Sequence, residues 1–485
     1  MEQNNMNVSA KNEVTLSGNM GVGGILFSVL AWAAPLLVVA GQMPTIIAVS
    51  KNSIVMGYGI VMLILIFFAI GFTTITRYVE NPGAYYAYIT AGLGKEAGLG
   101  AAFVTVCTYL VMMANWIAFG VFLRQFIENS LNGPAIPWYI CSIFGALCCA
   151  FFAHFSIELS AKVLAVLLAC EVIVIIIFDA SVFIDKGVSG LSMEPFTIEG
   201  MTTGNVGIAL LYGTLCFIGF ESTAIYREEA RDPEKTIPRA TYLALIVIGV
   251  FYVISSWMMV SALGPQGVAD ANLDQASTMF NDLAGVFVNS TFPKISSVLL
   301  ITSTFACQLS IHNALTRYAY SLGKDGILPK VLSTVHPKHK SPYKASLICS
   351  TYDVVFILVL TIIFGFDAAG GKAFNLFMRM NGIATLAVIM IICLVCASII
   401  VYFRRNEIGK KIGVFRTLVA PIIGSLGLLI VLSLALINLD ELTGLPLGIS
   451  LLFALAIPAI FFAGFIYARK LRISNVEIYK KIGRQ

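Results

Sequence analysis

The stretch GMTTGNVGIALLYGTLCFIGFES, Gly200 to Ser222, carries no charge as far as Phe220 and then presents a carboxylate, Glu221, two residues after a glycine, Gly219. Its length and apolarity match a helix that crosses a bilayer. An acid at the centre of an uninterrupted span would cost roughly 2.5–3.5 kcal/mol on insertion scales. The stretch therefore reads as a helix broken near Gly219, with Glu221 in the first turn of the restarted half. There the helix dipole favours negative charge. Two roles for Glu221 stay open: bracing the break by accepting backbone hydrogen bonds, or touching a ligand.

The rest of the chain fits a membrane setting. It has 485 residues, 58% hydrophobic and 12% charged, with mean hydropathy +0.88. A soluble protein could not solvate such a surface, so the chain reads as an all-α polytopic membrane protein. About twelve helices are expected, near 24–50, 56–76, 97–124, 137–154, 161–184, 204–227, 239–263, 294–317, 345–366, 376–402, 417–438 and 447–468. Near-continuous apolarity over such lengths excludes barrel strands, which alternate in shorter segments. No cleavable leader is expected, because residues 1–13 are polar. They read as a cytoplasmic tail, followed by a membrane domain over 14–470 and a second cytoplasmic tail over 471–485.

Lys and Arg placement sets the orientation. With the N-terminus in the cytoplasm, 25 of the 31 Lys and Arg residues fall on the cytoplasmic side. That bias places both termini on the cytoplasmic side of the cell membrane. The net charge of +5 follows from the same bias and implies no nucleic-acid partner. The ten cysteines sit in or near apolar segments, so no disulfide framework is expected. Cys393 and Cys396 read as packing residues, and His336 and His339 as part of a solvated basic loop. No catalytic triad, phosphate loop or metal-ligand cluster is present in the sequence, so neither an enzyme nor a metal or organic cofactor is expected.

A second interruption falls in helix 1, at AWAAPLLVVAGQMP, Ala31 to Pro44. Proline removes a backbone donor and clashes with the preceding turn, yet is well placed at the start of a helix. Helix 1 should stop near Ala33–Ala34 and restart after Pro35. The two breaks lie five helices apart, in helices that cross in opposite directions. This is the pattern of an inverted-repeat transporter. The repeats would cover about 14–185 and 200–403, with two extra helices at 417–468. Backbone amides near Leu36, Leu37 and Val38 would suit an anion. Carbonyls near Phe217 and Ile218 would suit an ammonium group. Together they fit the two ends of an amino acid. A lone proline kink or a lone packing glycine is the plain alternative for each break taken separately.

Three stretches carry a resemblance. GFESTAIYREEARDPEKTIPRA, Gly219 to Ala240, resembles the helix 6 signature of the amino acid–polyamine–organocation superfamily. SLGKDGILP, Ser321 to Pro329, and NPGAYYAYITAGLGKEAGLGAAF, Asn81 to Phe103, are similar to that family's segments after helix 8 and before helix 3. The resemblance implies a five-plus-five, LeuT-like inverted repeat with broken helices 1 and 6, and secondary transport of amino acids or amines. It implies a substrate site over Ala33, Ala34, Pro35, Leu36, Leu37, Leu215, Phe217, Ile218, Gly219, Phe220 and Ile311. Departures from the family pattern matter. Ala33, Ala34 and Pro35 replace its usual glycine-rich break, as in putrescine-importer-like members. Leu215 and, approximately, Ile311 stand where its arginine/agmatine antiporter has tryptophans, which removes a cation-stacking pocket.

Many members carry a coupling lysine midway along helix 5, and here Glu171 takes the matching place. A carboxyl at mid-membrane is a candidate proton carrier. A structural pairing with a neighbouring helix is the alternative. Asp179 and Asp353 are further acids in apolar helices. Asn115 and Trp116 of helix 3, Ser303 and Gln308 of helix 8, and Asn381 of helix 10 are candidates to line the cavity, or to bond between helices. The leading expectation is import of an amino acid, neutral in charge, by proton symport with alternating access. The other readings are a polyamine or cationic amino acid importer, an exchanger, and a channel or transport-fold sensor.

Overall fold

The computed structural model describes residues 20–79, 84–154, 161–336, 341–363 and 370–483. The tail expected over 1–13 lies outside the described residues, as do motif residues Asn81, Pro82 and Gly83, the loop residue His339, and the expected end of helix 9 at 364–366.

Among the described residues, eleven helices are long and apolar enough to cross a membrane, and a shorter apolar helix, Trp138–His154, takes the place of helix 4. The twelve expected helices are thus all present. Helix 1 runs over Val22–Ser50, helix 2 over Ser53–Ile75, helix 3 over Lys95–Ser130 and helix 6 over Val206–Ala224. Helix 5 is Ala161–Gly190, helix 7 Pro233–Asp270, helix 8 Phe292–Lys324, helix 9 Tyr343–Ile363 and helix 10 Gly371–Arg405. Helices 11 and 12 are Phe415–Ile437 and Leu447–Ser474.

Burial orders these helices by depth. The apolar window of helix 6 is 94% buried, whereas that of helix 12 is 17% buried. Helix 6 is therefore a central element and helix 12 a peripheral one, its Leu, Ile and Phe side chains turned outward to lipid. The first half of helix 1 packs on the second half of helix 6, and the second half of helix 1 on the first half of helix 6. The two broken helices are thus antiparallel neighbours, as inverted repeats require. Their ends are tied as well: the Arg231 amide donates to the Met20 carbonyl at 3.0 Å.

Three features differ from the sequence expectation. A separate helix, Ala84–Leu93, precedes helix 3 and ends at Gly94, whose φ of 99° turns the chain. Helix 3 is itself interrupted at Met113–Ala114 before restarting at Asn115. A short amphipathic helix, Met279–Phe287, lies between helices 7 and 8.

Candidate functional site

Helix 1 breaks at Ala34, whose φ of 45° and ψ of 68° are left-handed. The Ala34 amide closes the first half by donating to the Leu30 carbonyl at 3.1 Å. Pro35 then opens the second half, where its missing donor is not needed. A left-handed alanine costs about 1–2 kcal/mol, and burial of the surrounding turn holds it in place. The expected free amides near Leu36 to Val38 are only partly free. Val38 donates to the Ala34 carbonyl at 3.1 Å, and the Leu36 amide faces the Glu171 carboxylate without meeting hydrogen-bond geometry. Glu171 accepts from Ser303 Oγ at 2.7 Å. It therefore joins helix 5 to helix 8 and lies beside the break in helix 1. On the other side of that break, the Tyr252 hydroxyl of helix 7 reaches the Ala33 carbonyl at 3.5 Å.

Helix 6 breaks one residue earlier than the glycine. Helix Val206–Phe217 ends at Ile218, which is extended at φ −57° and ψ 133°. Gly219 follows at φ 114°, a conformation that excludes most side chains. A 3₁₀ segment, Phe220–Glu229, then restarts the chain. Glu221 Oε2 accepts from the Gly219 amide at 2.8 Å, and Ser222 Oγ donates to the Gly219 carbonyl at 2.6 Å. Both backbone groups of Gly219 are thereby satisfied from within the turn. The carbonyls of Phe217 and Ile218 accept no hydrogen bond among the described residues.

Glu221→Ala would leave the buried Gly219 amide without an acceptor, at a cost of roughly 1–3 kcal/mol. Uptake by Glu221→Ala is expected to fall at least tenfold below that of Glu221→Gln, which retains an acceptor oxygen. Equal uptake by the two variants, measured at equal membrane abundance, would show that the bond does not hold the break.

A cavity lies between the two breaks. It is small in this conformation, about 30 Å³, room for about one or two waters. Of the residues singled out in the sequence, Ala33, Leu37, Asn115, Leu215, Ile218, Ile311 and Asn381 line it. The others do not. Ala34, Pro35, Leu36, Phe217, Gly219 and Phe220 shape the breaks behind the wall. Ser303, Glu171 and Glu221 bond to backbone or to each other, outside the lining.

The lining also contains Val38, expected from the sequence as one of the helix 1 amides, and Trp32, Gln42, Met112, Cys216 and Cys307, which the sequence did not single out. Trp32 and Gln42 had a signal: an indole beside the break and an amide in a charge-free run. The other three are apolar or weakly polar residues indistinguishable from core. No acid or base lines the cavity. Its polar groups are amides and thiols. Asn381 Nδ2 donates to Asn115 Oδ1 at 2.9 Å, and Cys216 Sγ lies 3.4 Å from Gln42 Oε1. Asn381 Oδ1 is buried and has no partner among the described residues, so one acceptor remains in the wall.

Comparison with known proteins agrees with this architecture. The chain is similar to the branched-chain amino acid permease of Bacillus subtilis (strain 168), 23% identical over 299 residues, covering 58% of this chain and 62% of that one. It is similar to an uncharacterized transporter of Mycobacterium tuberculosis (strain CDC 1551 / Oshkosh), 26% identical over 328 residues and covering 62% and 64%. It is similar to the cystine/glutamate transporter of Pongo abelii, 21% identical over 303 residues and covering 60% and 58%. Each of these matches spans less than two thirds of the relative's own length. The family model described as amino acid permease matches residues 24–475, nearly the whole chain with both breaks inside it, and the chain belongs to the amino acid permease family.

Proposed function

We propose that the protein imports a neutral amino acid across the cell membrane, in symport with a proton, by alternating access around the cavity between the two breaks. The observation that carries this reading is the cavity itself: two helix breaks meet at it, and no charged side chain lines it. With the Val38 amide engaged inside the protein and the Leu36 amide facing the Glu171 carboxylate, the substrate carboxylate falls to the Leu37 amide. The ammonium group falls to the carbonyls of Phe217 and Ile218. Leu215, Ile218 and Ile311 give the side chain an apolar wall. The name of the Bacillus relative points to branched-chain amino acids, which suits that wall.

Glu171 is the coupling group in this reading. It ties helix 5 to Ser303 of helix 8 and faces the restart of helix 1 at the Leu36 amide. A proton on its carboxyl would weaken its attraction for that amide, freeing helix 1 to move. Glu221 would brace helix 6 rather than touch the substrate. Both termini would face the cytoplasm, with the two repeats rocking about the fixed site.

An extended polyamine gains from an aromatic face, by roughly 0.5–2 kcal/mol per cation–π contact. Trp32 is the one ring in the lining, and a polyamine has no carboxylate for the helix 1 end. Competition of labelled leucine uptake by neutral amino acids, arginine, lysine and putrescine tests the assignment. Neutral amino acids should inhibit and putrescine should not. Strong inhibition by putrescine with none by any neutral amino acid would replace this reading with the polyamine one.

A further inference from the structure

Behind the cavity wall lies a buried histidine–aspartate pair that the transport reading above does not use. His312 of helix 8 follows the cavity-lining Ile311 but turns away from the cavity. Its Nδ1 lies 3.3 Å from Asp353 Oδ2 of helix 9, and its Nε2 lies 3.2 Å from Ser346 Oγ. His312 and Asp353 are both 0% exposed. Among the described residues, no other ion pair has both partners out of reach of solvent.

The three residues form a line through half the membrane. Ser346 is in the first turn of helix 9, which starts at Tyr343 after the loop from helix 8. Asp353 lies ten residues beyond Tyr343, roughly 15 Å along the helix axis at 1.5 Å per residue. That is about half of a ~30 Å hydrocarbon core. Ser346, Ser350 and Asp353 fall at helical spacing on one face of helix 9. Ser350 Oγ and Asp353 Oδ1 are buried and make no hydrogen bond among the described residues. The groups that face the pair from the packed helices are neutral: Trp116 of helix 3, Cys149 of helix 4, and Cys349 and Tyr352 of helix 9. The Trp116 indole N–H lies near the Asp353 carboxyl without meeting hydrogen-bond geometry.

We propose that Ser346, His312 and Asp353 form a proton relay from the helix 8–9 loop to the middle of the membrane, a proton site additional to Glu171. Loading is a balanced transfer. A proton arriving at Ser346 is passed to His312 Nε2, while the Nδ1 proton moves to Asp353 Oδ2. The imidazole changes tautomer and stays neutral. The carboxylate becomes a neutral acid, and the site gains one proton in all. The loaded pair carries no net charge, which suits its dry surroundings. The unloaded pair carries one negative charge, so unloading needs contact with water at the Ser346 end. A pair serving only as interhelical glue would keep one protonation and tautomeric state throughout.

This inference rests on the proton-coupled reading, and two experiments separate them. Replacing His154, His336 and His339 by Gln leaves His312 as the only histidine in the full chain. In that protein, labelled with ¹⁵N-histidine, the ring nitrogens should switch tautomer as the pH is lowered, with a midpoint that moves when leucine is added. A ring locked in one state over that range, with and without leucine, would overturn the relay. In liposomes, His312→Gln and Asp353→Asn should carry fewer protons per leucine and show a flattened pH profile. An unchanged ratio and profile in either variant would also overturn it. If wild-type uptake carries no proton, the symport reading and the relay fall together. If wild-type uptake is coupled and the variants match it, the relay alone falls. The single-histidine protein decides the question even where a variant of the pair fails to fold.

Discussion

Gly219→Leu is expected to abolish uptake while the protein remains inserted in the membrane. Two independent costs act at this position. The backbone sits at φ 114°, where a side chain is strained by about 1–3 kcal/mol. A Cβ built on Gly219 also runs into the indole ring of Trp32, within 2.8 Å of its Cγ. Overpacking of this kind costs roughly 1–3 kcal/mol. Trp32 lines the cavity, so the strain is relieved into the site itself. A sum of about 2–6 kcal/mol is one to four orders of magnitude in any equilibrium that depends on this geometry. The apolar length of helix 6 is unchanged, so insertion should be normal. Gly219→Ala should show most of the effect, because the first added carbon already collides. Normal uptake by a correctly inserted Gly219→Leu protein would mean that the helix 6 break is not at the site.

Glu171→Gln should remove the acceleration of uptake by an inward proton gradient, with counterflow exchange retained. Glutamine keeps the shape and an acceptor oxygen for Ser303 Oγ, now 2.7 Å from the carboxylate, but it cannot take up a proton. The variant should therefore behave the same with and without a proton gradient. Wild-type uptake should rise as the outside is acidified, since protonation removes the attraction between the carboxylate and the Leu36 amide. Glu171→Ala is expected to do more damage, because it leaves Ser303 Oγ without its acceptor. Unchanged stimulation by the gradient in Glu171→Gln would remove Glu171 as the coupling group.

The breaks were legible because each departs from what a lipid-exposed helix tolerates. Pro35 inside a charge-free run and Glu221 beside Gly219 both signal backbone that must be satisfied by something other than its own helix. The break in helix 3 was not legible. The segment around Met113 and Ala114 holds neither glycine nor proline, and its interruption comes from packing against helices 8 and 10 rather than from local preference. The helix Ala84–Leu93 was hidden for a related reason. It is short, and its stop signal, Gly94, lies just before the expected start of helix 3 at 97, so the two merge in an apolar stretch.

The family resemblance could place Leu215 and Ile311 near a cavity. It could not distinguish Cys216 or Cys307 from core, since a wall residue and a core residue share the same apolar chemistry. The direction of the helix 1 amides was also beyond the sequence. Whether Leu36 serves a substrate or Glu171 depends on where helix 5 lies, which only the packed bundle fixes.

The most direct measurement is a structure of the protein determined with saturating leucine. The ligand is expected between the two breaks, in the space walled by Ile218, Ile311 and Asn115. Its carboxylate should lie against the Leu37 amide and its ammonium group against the carbonyls of Phe217 and Ile218. Leucine bound elsewhere, or bound in this cavity with its two charged ends reversed, would contradict the assignment of the site.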